Sequence, residues 1–328
     1  MTAPLLEARS LAREFRVRRP GDILGRRLVL RAVDGVDLAL SAGRTLGIVG
    51  ESGCGKTTLG RLLLGMLPPT SGTVMFEGEP MEARETPSWR RRRQRLQMIF
   101  QDPLGALDRR LTLADQILEP LAIHGIDDHA SRARRLAGIL DAVGLSPALA
   151  ARYPHQVSGG QRQRAVIARA LIVDPALIVC DEPVSALDVS IQAQVVNLLR
   201  DLQRRIGVAY VFISHDLKVV HHVSDEIAVM YLGRVVEQGA RDRLFERPEH
   251  PYTLALMSAV PLPDPDRPRS RILLAGDPPS PLDLPSGCRF HTRCPKASAL
   301  CRSHEPPLAA LADGHRVACH HPASGAAQ

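Results

Sequence analysis

The stretch "RTLGIVGESGCGKTTLGRLLLG", residues 44–65, decides the fold of this 328-residue chain. Residues 45–49, TLGIV, predict a short buried strand, and "GESGCGKT" (Gly50 to Thr57) matches G-x-x-x-x-G-K-[ST] with no mismatch. Glycines let successive backbone N–H groups turn around a phosphate, and the helix that follows presents its positive end to the same anion. A chance glycine-rich turn is the alternative, but the flanking strand and helix patterns favour a phosphate-binding loop in an α/β fold.

Two further strand ends supply the chemistry that a phosphate loop needs. "ALIVCDEP" ends an apolar run in Asp181 and Glu182, and "YVFISHD" ends another in His215. We expect Lys56 to reach the β- and γ-phosphates, and Thr57 and Asp181 to hold Mg²⁺. Glu182 would polarise the attacking water, and His215 would face the γ-phosphate. An acidic cap on a buried strand and a structural histidine are the alternatives, but parallel strands bring such ends to one edge of a sheet.

A second anion-binding turn occurs between these motifs, in "VSGGQRQRAVIARAL" at residues 157–171. Ser158, Gly159 and Gly160 precede a helix that begins near Gln161, which is a typical phosphate-binding arrangement. One nucleotide does not need two such turns from one chain. We therefore expect this turn to close over the nucleotide of a partner subunit.

The composition limits the class of protein. Hydrophobic residues make up 45% of the chain, near the globular norm, but aromatic residues only 3%, so aliphatic side chains must fill the core. The net charge of +7 allows an acidic partner, although the arginines are scattered and favour a solvated surface. The first fifteen residues lack the apolar core of a signal peptide, and the longest apolar runs are far shorter than the ~20 residues that cross a bilayer. We expect contact with a membrane only through another subunit.

Four of the six cysteines are gathered near the end of the sequence. Cys54 and Cys180 suit small buried positions, and we predict a structural role for both. A cytoplasmic chain seldom holds stable disulfides, so four clustered thiols favour metal ligation. The closely paired cysteines of zinc ribbons are absent, whereas iron–sulfur clusters use four thiolates at varied spacing. Nearby histidines keep zinc as an alternative, and reduced or redox-sensitive thiols are the third. The four are Cys288, Cys294, Cys301 and Cys319.

The motifs together resemble one family. "GESGCGKT", "MIFQDP", "YPHQVSGGQRQR", "VCDEP", "SALD", "SHD" and "MYLGRVVEQG" occur in the order found in the nucleotide-binding subunits of ATP-binding-cassette (ABC) transporters. "HPYT" at residues 250–253, the proline-rich segment and "GCRFHTRCP" resemble the dipeptide and oligopeptide importer ATPases, more closely the F-type subunit of the pair. The resemblance implies a P-loop NTPase fold, with an ABC-type RecA-like core, an inserted helical subdomain and a proline-rich, cysteine-containing C-terminal extension.

The resemblance also assigns residues to the ATP site. It implies that Gln101 senses Mg²⁺ and the attacking water, that Glu182 is the catalytic base and that His215 is the switch residue. Phe15 stands where the family places an aromatic against adenine, and Asp188 lies in the loop that links two sites. Some peptide-importer ATPases carry a [4Fe-4S] cluster on the tail, which favours the cluster over zinc here. The residues expected to contact ATP are Gly50, Ser52, Gly53, Gly55, Lys56, Thr57 and Thr58 from this chain and Ser158, Gly160 and Gln161 from the partner.

The family further implies partners and a place in the cell. We expect a second, related ATPase subunit packed head to tail, two transmembrane permease subunits and an extracytoplasmic peptide-binding protein, with no nucleic acid. The chain would hydrolyse ATP at the cytoplasmic face of the membrane to power uptake of dipeptides or oligopeptides. Three alternatives remain: the same motor for nickel or another small solute, a redox- or iron-responsive regulatory ATPase, and a soluble ABC ATPase acting on nucleic acid or ribosomes.

The order of patterns predicts the organisation. We expect an ATPase domain over residues 1–240, with a helical subdomain at 102–165, and a C-terminal extension over 241–328. "SWRRRRQR", Ser88 to Arg95, predicts a solvated turn rather than a nucleic-acid patch, because no stacking aromatic beyond Trp89 accompanies it. Eight of the twenty-five residues from Pro261 to Pro285 are proline, which is typical of an extended connector.

Overall fold

The computed structural model describes residues 3–18, 27–81, 86–126, 129–259, 272–311 and 314–324. In these ranges the strands are β1 (Leu6–Val17), β2 (Leu28–Leu40), β3 (Thr45–Val49), β4 (Ser71–Phe76), β5 (Glu79–Pro80), β6 (Leu96–Ile99), β7 (Leu177–Asp181), β8 (Ala209–Ile213), β9 (Glu226–Tyr231), β10 (Arg234–Ala240), β11 (Ala309–Ala310) and β12 (Arg316–Val317). The helices are α1 (Lys56–Leu63), α2 (Pro87–Arg95), α3 (Pro103–Ala106), α4 (Leu113–Ile123), α5 (His129–Ala142), α6 (Gly159–Leu171), α7 (Val189–Ile206), α8 (Leu217–Val223), α9 (Arg241–Glu246), α10 (Pro251–Ser258) and α11 (Ala299–Ser303).

The larger sheet positions the site. Its strand order is β11-β12-β10-β9-β3-β8-β7-β6, and the five strands β6, β7, β8, β3 and β9 are parallel to their neighbours within that set. Every residue of β3, β7 and β8 is buried, as expected for strands covered on both faces. The predicted strand at residues 45–49 is confirmed, and the carboxyl ends of β3, β7 and β8 meet at one edge of the sheet.

A smaller antiparallel sheet covers one side of this core. Its strand order is β2-β1-β4-β5. Helix α1 contacts β1 and β2 of this sheet as well as β7 and β8 of the larger one, and Leu59, Leu62 and Leu63 are buried there. Since both sheets pack on α1, the helix that follows the phosphate loop is fixed from two sides.

The described residues of the segment 102–165 form helices and turns and contain no strand, while its status as a subdomain stays a prediction. Helix α4 packs on α5 and α6, and a capping box between Thr112 and Asp115 starts it. A second capping box between Ser158 and Gln161 starts α6. The "VSGGQ" turn is therefore the amino-terminal end of a long helix.

The arginine-rich segment corrects one prediction. "SWRRRRQR" is not a turn, because residues 87–95 form α2, which begins after Thr86, whose hydroxyl accepts a hydrogen bond from the Trp89 N–H at 3.1 Å. Pro87 occupies the first turn, where a missing N–H costs nothing. Separately, none of the helices in the described residues is both long and apolar enough to span a bilayer.

The C-terminal extension joins the core sheet. Strand β12 pairs with β10, and the fully buried carboxylate of Glu237 in β10 accepts hydrogen bonds from the backbone N–H groups of Glu249 and His250 and contacts His315 Nε2 at 2.7 Å. The division between residues 1–240 and 241–328 stays a prediction. Residues 260–271 of the predicted connector lie outside the described residues, and residues 272–285 contain no helix or strand.

Candidate functional site

The phosphate loop has a backbone conformation that favours glycine at three positions. Gly50, Gly53 and Gly55 have φ values of 155°, 78° and 107°, in the region that side chains disfavour. A Cβ on Gly55 would lie 2.0 Å from the Ala32 carbonyl oxygen, and one on Gly50 would lie 2.2 Å from the Met230 carbonyl oxygen. The loop is thus pressed against β2 and β9, which fixes its shape.

Lys56 ties the two ends of this loop together. Its side chain is only 6% exposed, and Nζ donates to the carbonyl oxygens of Gly50 and Glu51 at 2.8 and 3.0 Å. The sulfur of Cys54 is a weak third contact at 4.0 Å. Because an ammonium group has three donors, a phosphate oxygen can replace the sulfur while both carbonyl contacts persist.

Thr57 and Asp181 form the candidate Mg²⁺ site. The Thr57 hydroxyl donates to Asp181 Oδ1 at 3.0 Å, which joins the first turn of α1 to the end of β7. Burial raises the pKa of Asp181, the charge of Glu182 adds to the rise, and the Thr57 hydrogen bond opposes it. Oxygen donors of this kind fit Mg²⁺, and a cation would favour the ionised carboxylate that burial opposes.

Glu182 is held between the two other candidate catalytic side chains. Gln101 Nε2 donates to its Oε2 at 2.9 Å, and His215 Nδ1 lies 3.3 Å from its Oε1. The Glu182 backbone has φ +47°, an uncommon conformation for a residue other than glycine, and its N–H donates to the Ile213 carbonyl at 2.9 Å. Three segments remote in sequence therefore converge on one carboxylate.

A cavity of about 620 Å³ opens over the loop. Phe15 lies half-buried in its wall with the Arg13 guanidinium over one face, 4.7 Å from the ring centroid. Pro281, from the C-terminal extension, also lies in the cavity wall. The sequence does not predict this position, because nothing in the proline-rich pattern marks which proline reaches the core. The predicted residues that line the cavity are Phe15, Ser52, Gly53, Gly55, Lys56, Thr57, Thr58, Gln101, Glu182 and His215, and the others are Leu30, Arg31, Ala32, Leu232, Gly233 and Pro281.

The signature turn is separate from this cavity. Ser158, Gly160 and Gln161 are not among the lining residues. Ser158 is exposed, and a Cβ on Gly160 would lie 2.8 Å from Ile191 of α7. Val189, next to the Asp188 position, is 82% exposed. The turn and the start of α7 therefore form one solvent-facing surface.

The four tail cysteines come together, although the chain separates them by up to thirty-one positions. All are free thiols, and Cys288, Cys294 and Cys301 lie close enough to Cys319 to contribute to the rise of its pKa. Burial raises the pKa of Cys288 and Cys319 to about 11 and also raises that of Cys294. Cys54 and Cys180 are buried, as predicted.

The geometry does not form a single-ion site. Among the described residues, no three His, Cys, Asp or Glu side chains are grouped as ligands of one metal ion. Nearby histidines bond elsewhere: His315 Nε2 to Glu237, His291 Nδ1 to the Cys288 carbonyl and His321 Nε2 to Ser298. Neither the expected [4Fe-4S] cluster nor the zinc alternative therefore gains support from the described residues.

A second concave surface, which the sequence did not predict, includes Phe100, the residue before Gln101. We call it the α2 groove. It has a volume of about 500 Å³ and contains exposed apolar side chains, among them Phe100 and the 70% exposed Ile123. Its rim is basic, with Arg90, Arg93 and Arg169. The remaining lining residues are Trp89, Gln97, Met98, Ala106, Pro120, His124, Val166 and Ala170.

Comparison with known proteins identifies two matching family models. Residues 33–185 match a model described as ABC transporter, and residues 236–301 match one described as oligopeptide/dipeptide transporter, C-terminal region. The chain is similar to a probable peptide ABC transporter ATP-binding protein of Sinorhizobium fredii, with 52% identity over 91% of this chain and 85% of that protein. It is also similar to the oligopeptide transport ATP-binding protein OppF of Haemophilus influenzae, with 47% identity over 96% of each.

Solved structures agree with the fold. The dimeric post-hydrolysis structure of the ATP-binding cassette MJ0796, bound to ADP and Pi, superimposes with a TM-score of 0.62 and 25% identity. The match covers 72% of this chain and 98% of that one. The expected P-loop NTPase core of ABC type is thereby confirmed.

Proposed function

This chain belongs to the ABC transporter family, and from that premise we propose that it is the ATP-hydrolysing subunit of a bacterial importer for dipeptides or oligopeptides. One observation carries the proposal: Glu182, flanked by Gln101 and His215, lies at the mouth of the phosphate loop and beside the Thr57–Asp181 pair. Two of the relatives at about 50% identity are named for peptide or oligopeptide transport. Those names favour the importer over a regulatory or soluble ABC ATPase.

The residues that line the cavity have different roles in ATP binding and hydrolysis. The loop amides and Lys56 hold the phosphates, while Phe15 in the cavity wall stacks on adenine. Thr57 and Asp181 would hold Mg²⁺, which neutralises phosphate charge. Glu182 accepts a proton from the attacking water.

Two neighbours of the carboxylate complete the proposed chemistry. Gln101 orients the water through its amide, and His215 contacts the γ-phosphate with the ring nitrogen that does not face Glu182. Because both contact the same carboxylate, a displacement of Gln101 would also displace the base. The route from nucleotide to membrane subunit would therefore begin at this hydrogen bond.

The exposed signature surface supports a second ATPase subunit. Ser158 is exposed, and Gly160 and Gln161 are partly exposed, at the start of α6, whose amino-terminal end favours an anion. We assign them to the γ-phosphate bound by the partner, with Asp188 beside them. The partner is a related ATPase in a heterodimer, and the solved cassette dimer is consistent with a pair.

The α2 groove supports a membrane partner. Exposed Phe100 and Ile123 give a partner helix an apolar surface to cover, and exposed Arg90 suits an acidic residue of that helix. We assign this groove to one of the two permease subunits, which together would hold the chain peripherally on the cytoplasmic face. The permease would receive peptide from an extracytoplasmic binding protein.

We further propose that the four tail cysteines hold a [4Fe-4S] cluster. The four thiols would supply the donor type that iron–sulfur clusters use. The role of the ATP site does not depend on this cluster.

The test is transport in a defined system. The chain, its partner ATPase and the permease subunits would be reconstituted in liposomes with the binding protein, and uptake of labelled di- to hexapeptides measured with ATP. We expect peptide-stimulated hydrolysis and uptake, both lost with Glu182→Gln. Hydrolysis without uptake of any peptide would contradict the substrate class, and uptake of nickel instead would favour the related alternative.

A further inference from the structure

Glu51, the second residue of the phosphate loop, is held at all three of its polar groups. Its N–H donates to the Tyr252 hydroxyl at 2.9 Å, and its carboxylate accepts two hydrogen bonds from Arg293 Nη1 at 3.1 and 2.9 Å. Its carbonyl accepts from Lys56 at 3.0 Å. Tyr252 and Arg293 both belong to the C-terminal extension, so two of the three contacts come from outside the loop and its helix.

The ion pair between Arg293 and Glu51 is largely buried and hydrogen-bonded. The Arg293 side chain is 8% exposed and that of Glu51 is 26% exposed. Arg293 also lies beside the Tyr231 hydroxyl, and its backbone N–H donates to the Phe290 carbonyl at 3.0 Å. A buried arginine stays in such a place only when it is paired and hydrogen-bonded, and Glu51 supplies that pairing.

The segment that carries Arg293 is itself rigid. Phe290 is 1% exposed and packs against Tyr231 and Tyr252, with ring centroids 5.3 and 5.4 Å apart. Tyr231 and Tyr252 pack on each other at 4.8 Å. The chain has few aromatic residues, yet three of them meet beneath the start of the phosphate loop. This cluster fixes the extension relative to β9, against which Gly50 also packs.

From these contacts we propose that Arg293 and Tyr252 are positioning residues of the nucleotide site. Through their hydrogen bonds to Glu51, the C-terminal extension sets the conformation of the phosphate loop. The inference rests on the proposed function, since the loop must bind nucleotide phosphates. Glu51 is the residue through which the extension acts, because its amide, carbonyl and carboxylate are fixed by three different elements.

The positive charge of Arg293 has a second effect on the nucleotide site. The Glu51 carboxylate belongs to a loop that must accept polyanionic phosphates, and an unpaired negative charge there would repel them. Arg293 neutralises that charge in a buried, hydrogen-bonded pair, where electrostatic interactions are stronger than at the surface. Loss of Arg293 would therefore both loosen the loop and expose the phosphates to a like charge.

The test uses the full chain and measures the equilibrium dissociation constant for Mg·ATP together with the melting temperature. Arg293→Gln is expected to raise the dissociation constant by about tenfold or more, because it leaves a carboxylate unpaired. Adding Glu51→Gln to that variant should recover at least half of the lost affinity, since it removes the repelling charge. Arg293→Lys should fall between wild type and Arg293→Gln, because it keeps the positive charge but not the planar guanidinium whose Nη1 donates both hydrogen bonds.

Arg243→Gln is the matched control. Arg243 pairs with Glu249 within the same extension at 3.2 Å, and neither is among the residues that line the cavity. We expect it to lower the melting temperature without changing nucleotide affinity. If Arg293→Gln leaves affinity unchanged, or if Glu51→Gln fails to recover any of the loss, the positioning role is wrong.

Tyr252→Phe provides an independent arm if Arg293→Gln does not fold. It removes only the hydroxyl that the Glu51 N–H contacts and keeps the packed ring. We expect faster hydrogen exchange at the Glu51 amide and a several-fold rise in the dissociation constant; unchanged exchange and affinity would contradict the proposal. A wild-type chain that binds no ATP would instead contradict the proposed function itself.

Discussion

The Thr57 hydroxyl donates to Asp181 Oδ1 across 3.0 Å, so that residues 124 positions apart meet where the phosphate-loop helix begins and strand β7 ends. Both side chains offer oxygen to Mg²⁺, and each is prearranged by the other. We expect Thr57→Ala to lower Mg²⁺-dependent hydrolysis by about 100-fold, the scale of several kcal/mol that a well-placed metal contributes. The measurement is the rate of hydrolysis as Mg²⁺ is titrated.

Thr57→Ser is the control for that prediction. It keeps the hydroxyl and removes only a methyl group, so hydrolysis should stay within a few-fold of wild type. Equal losses in the two variants would show that packing at α1, rather than the hydroxyl, is responsible.

Glu182→Gln should separate binding from chemistry. The amide keeps the size of the side chain and its contact with Gln101 or His215, but it cannot accept a proton from water. We expect ATP to bind with near-normal affinity while hydrolysis falls by at least ~10²-fold, as for a positioned general base. Near-normal turnover in a single-cycle assay would refute the assigned role.

Two loop glycines should respond differently to alanine. Gly53 has φ +78°, and a Cβ added there would meet no atom within 4 Å, whereas a Cβ on Gly55 would overlap the Ala32 carbonyl. Gly53→Ala should cost about 1–2 kcal/mol of backbone strain, and Gly55→Ala should cost considerably more. Urea unfolding of both variants checks this, and similar free energies of unfolding would show that the backbone at Ala32 yields readily.

The buried His250 should make stability depend on pH. Burial lowers its pKa to about 4, against the opposing charge of Glu237. An unfolded histidine takes up a proton near pH 6.5, so the free energy of unfolding should fall as the pH drops from about 6.5 to about 4, by up to ~1.4 kcal/mol per pH unit. At higher pH this contribution is constant.

His250→Asn tests the assignment of that dependence. Asparagine can still accept the hydrogen bond from the Tyr252 N–H, which His250 Nδ1 now accepts at 3.0 Å. The slope of unfolding free energy against pH should decrease by about one proton in that window. Parallel slopes for the two proteins would assign the acid sensitivity to another group.

The tail cysteines give a compositional prediction. Protein purified without oxygen should contain about four iron and four acid-labile sulfide per chain, the content of one [4Fe-4S] cluster, with a matching visible absorbance. Serine at Cys288, Cys294, Cys301 and Cys319 should abolish both. One zinc per chain, or no metal in fresh protein, would make the tail a structural element and end the cluster proposal.

The ATPase core can be derived from short stretches of consecutive residues. Consecutive residues encode a phosphate loop, because its glycines, lysine and threonine act through local backbone geometry. Apolar five-residue runs that end in Asp181, Glu182 and His215 likewise encode strand ends that a parallel sheet must gather at one edge. These patterns were sufficient to predict that Glu182, His215 and the loop would share one cavity.

The way in which the rest of the chain meets that core is visible only in three dimensions. Arg293 and Glu51 are 242 positions apart, and neither lies in a pattern that marks its partner. Pro281 in the cavity wall is likewise unmarked in the sequence. The arginine-rich segment of α2 predicts a solvated turn, but the structure shows a helix whose Arg90 and Arg93 line an apolar groove. Such contacts depend on how separately folded elements pack against each other, and side-chain pairing at that range leaves no periodic or local signal in the sequence.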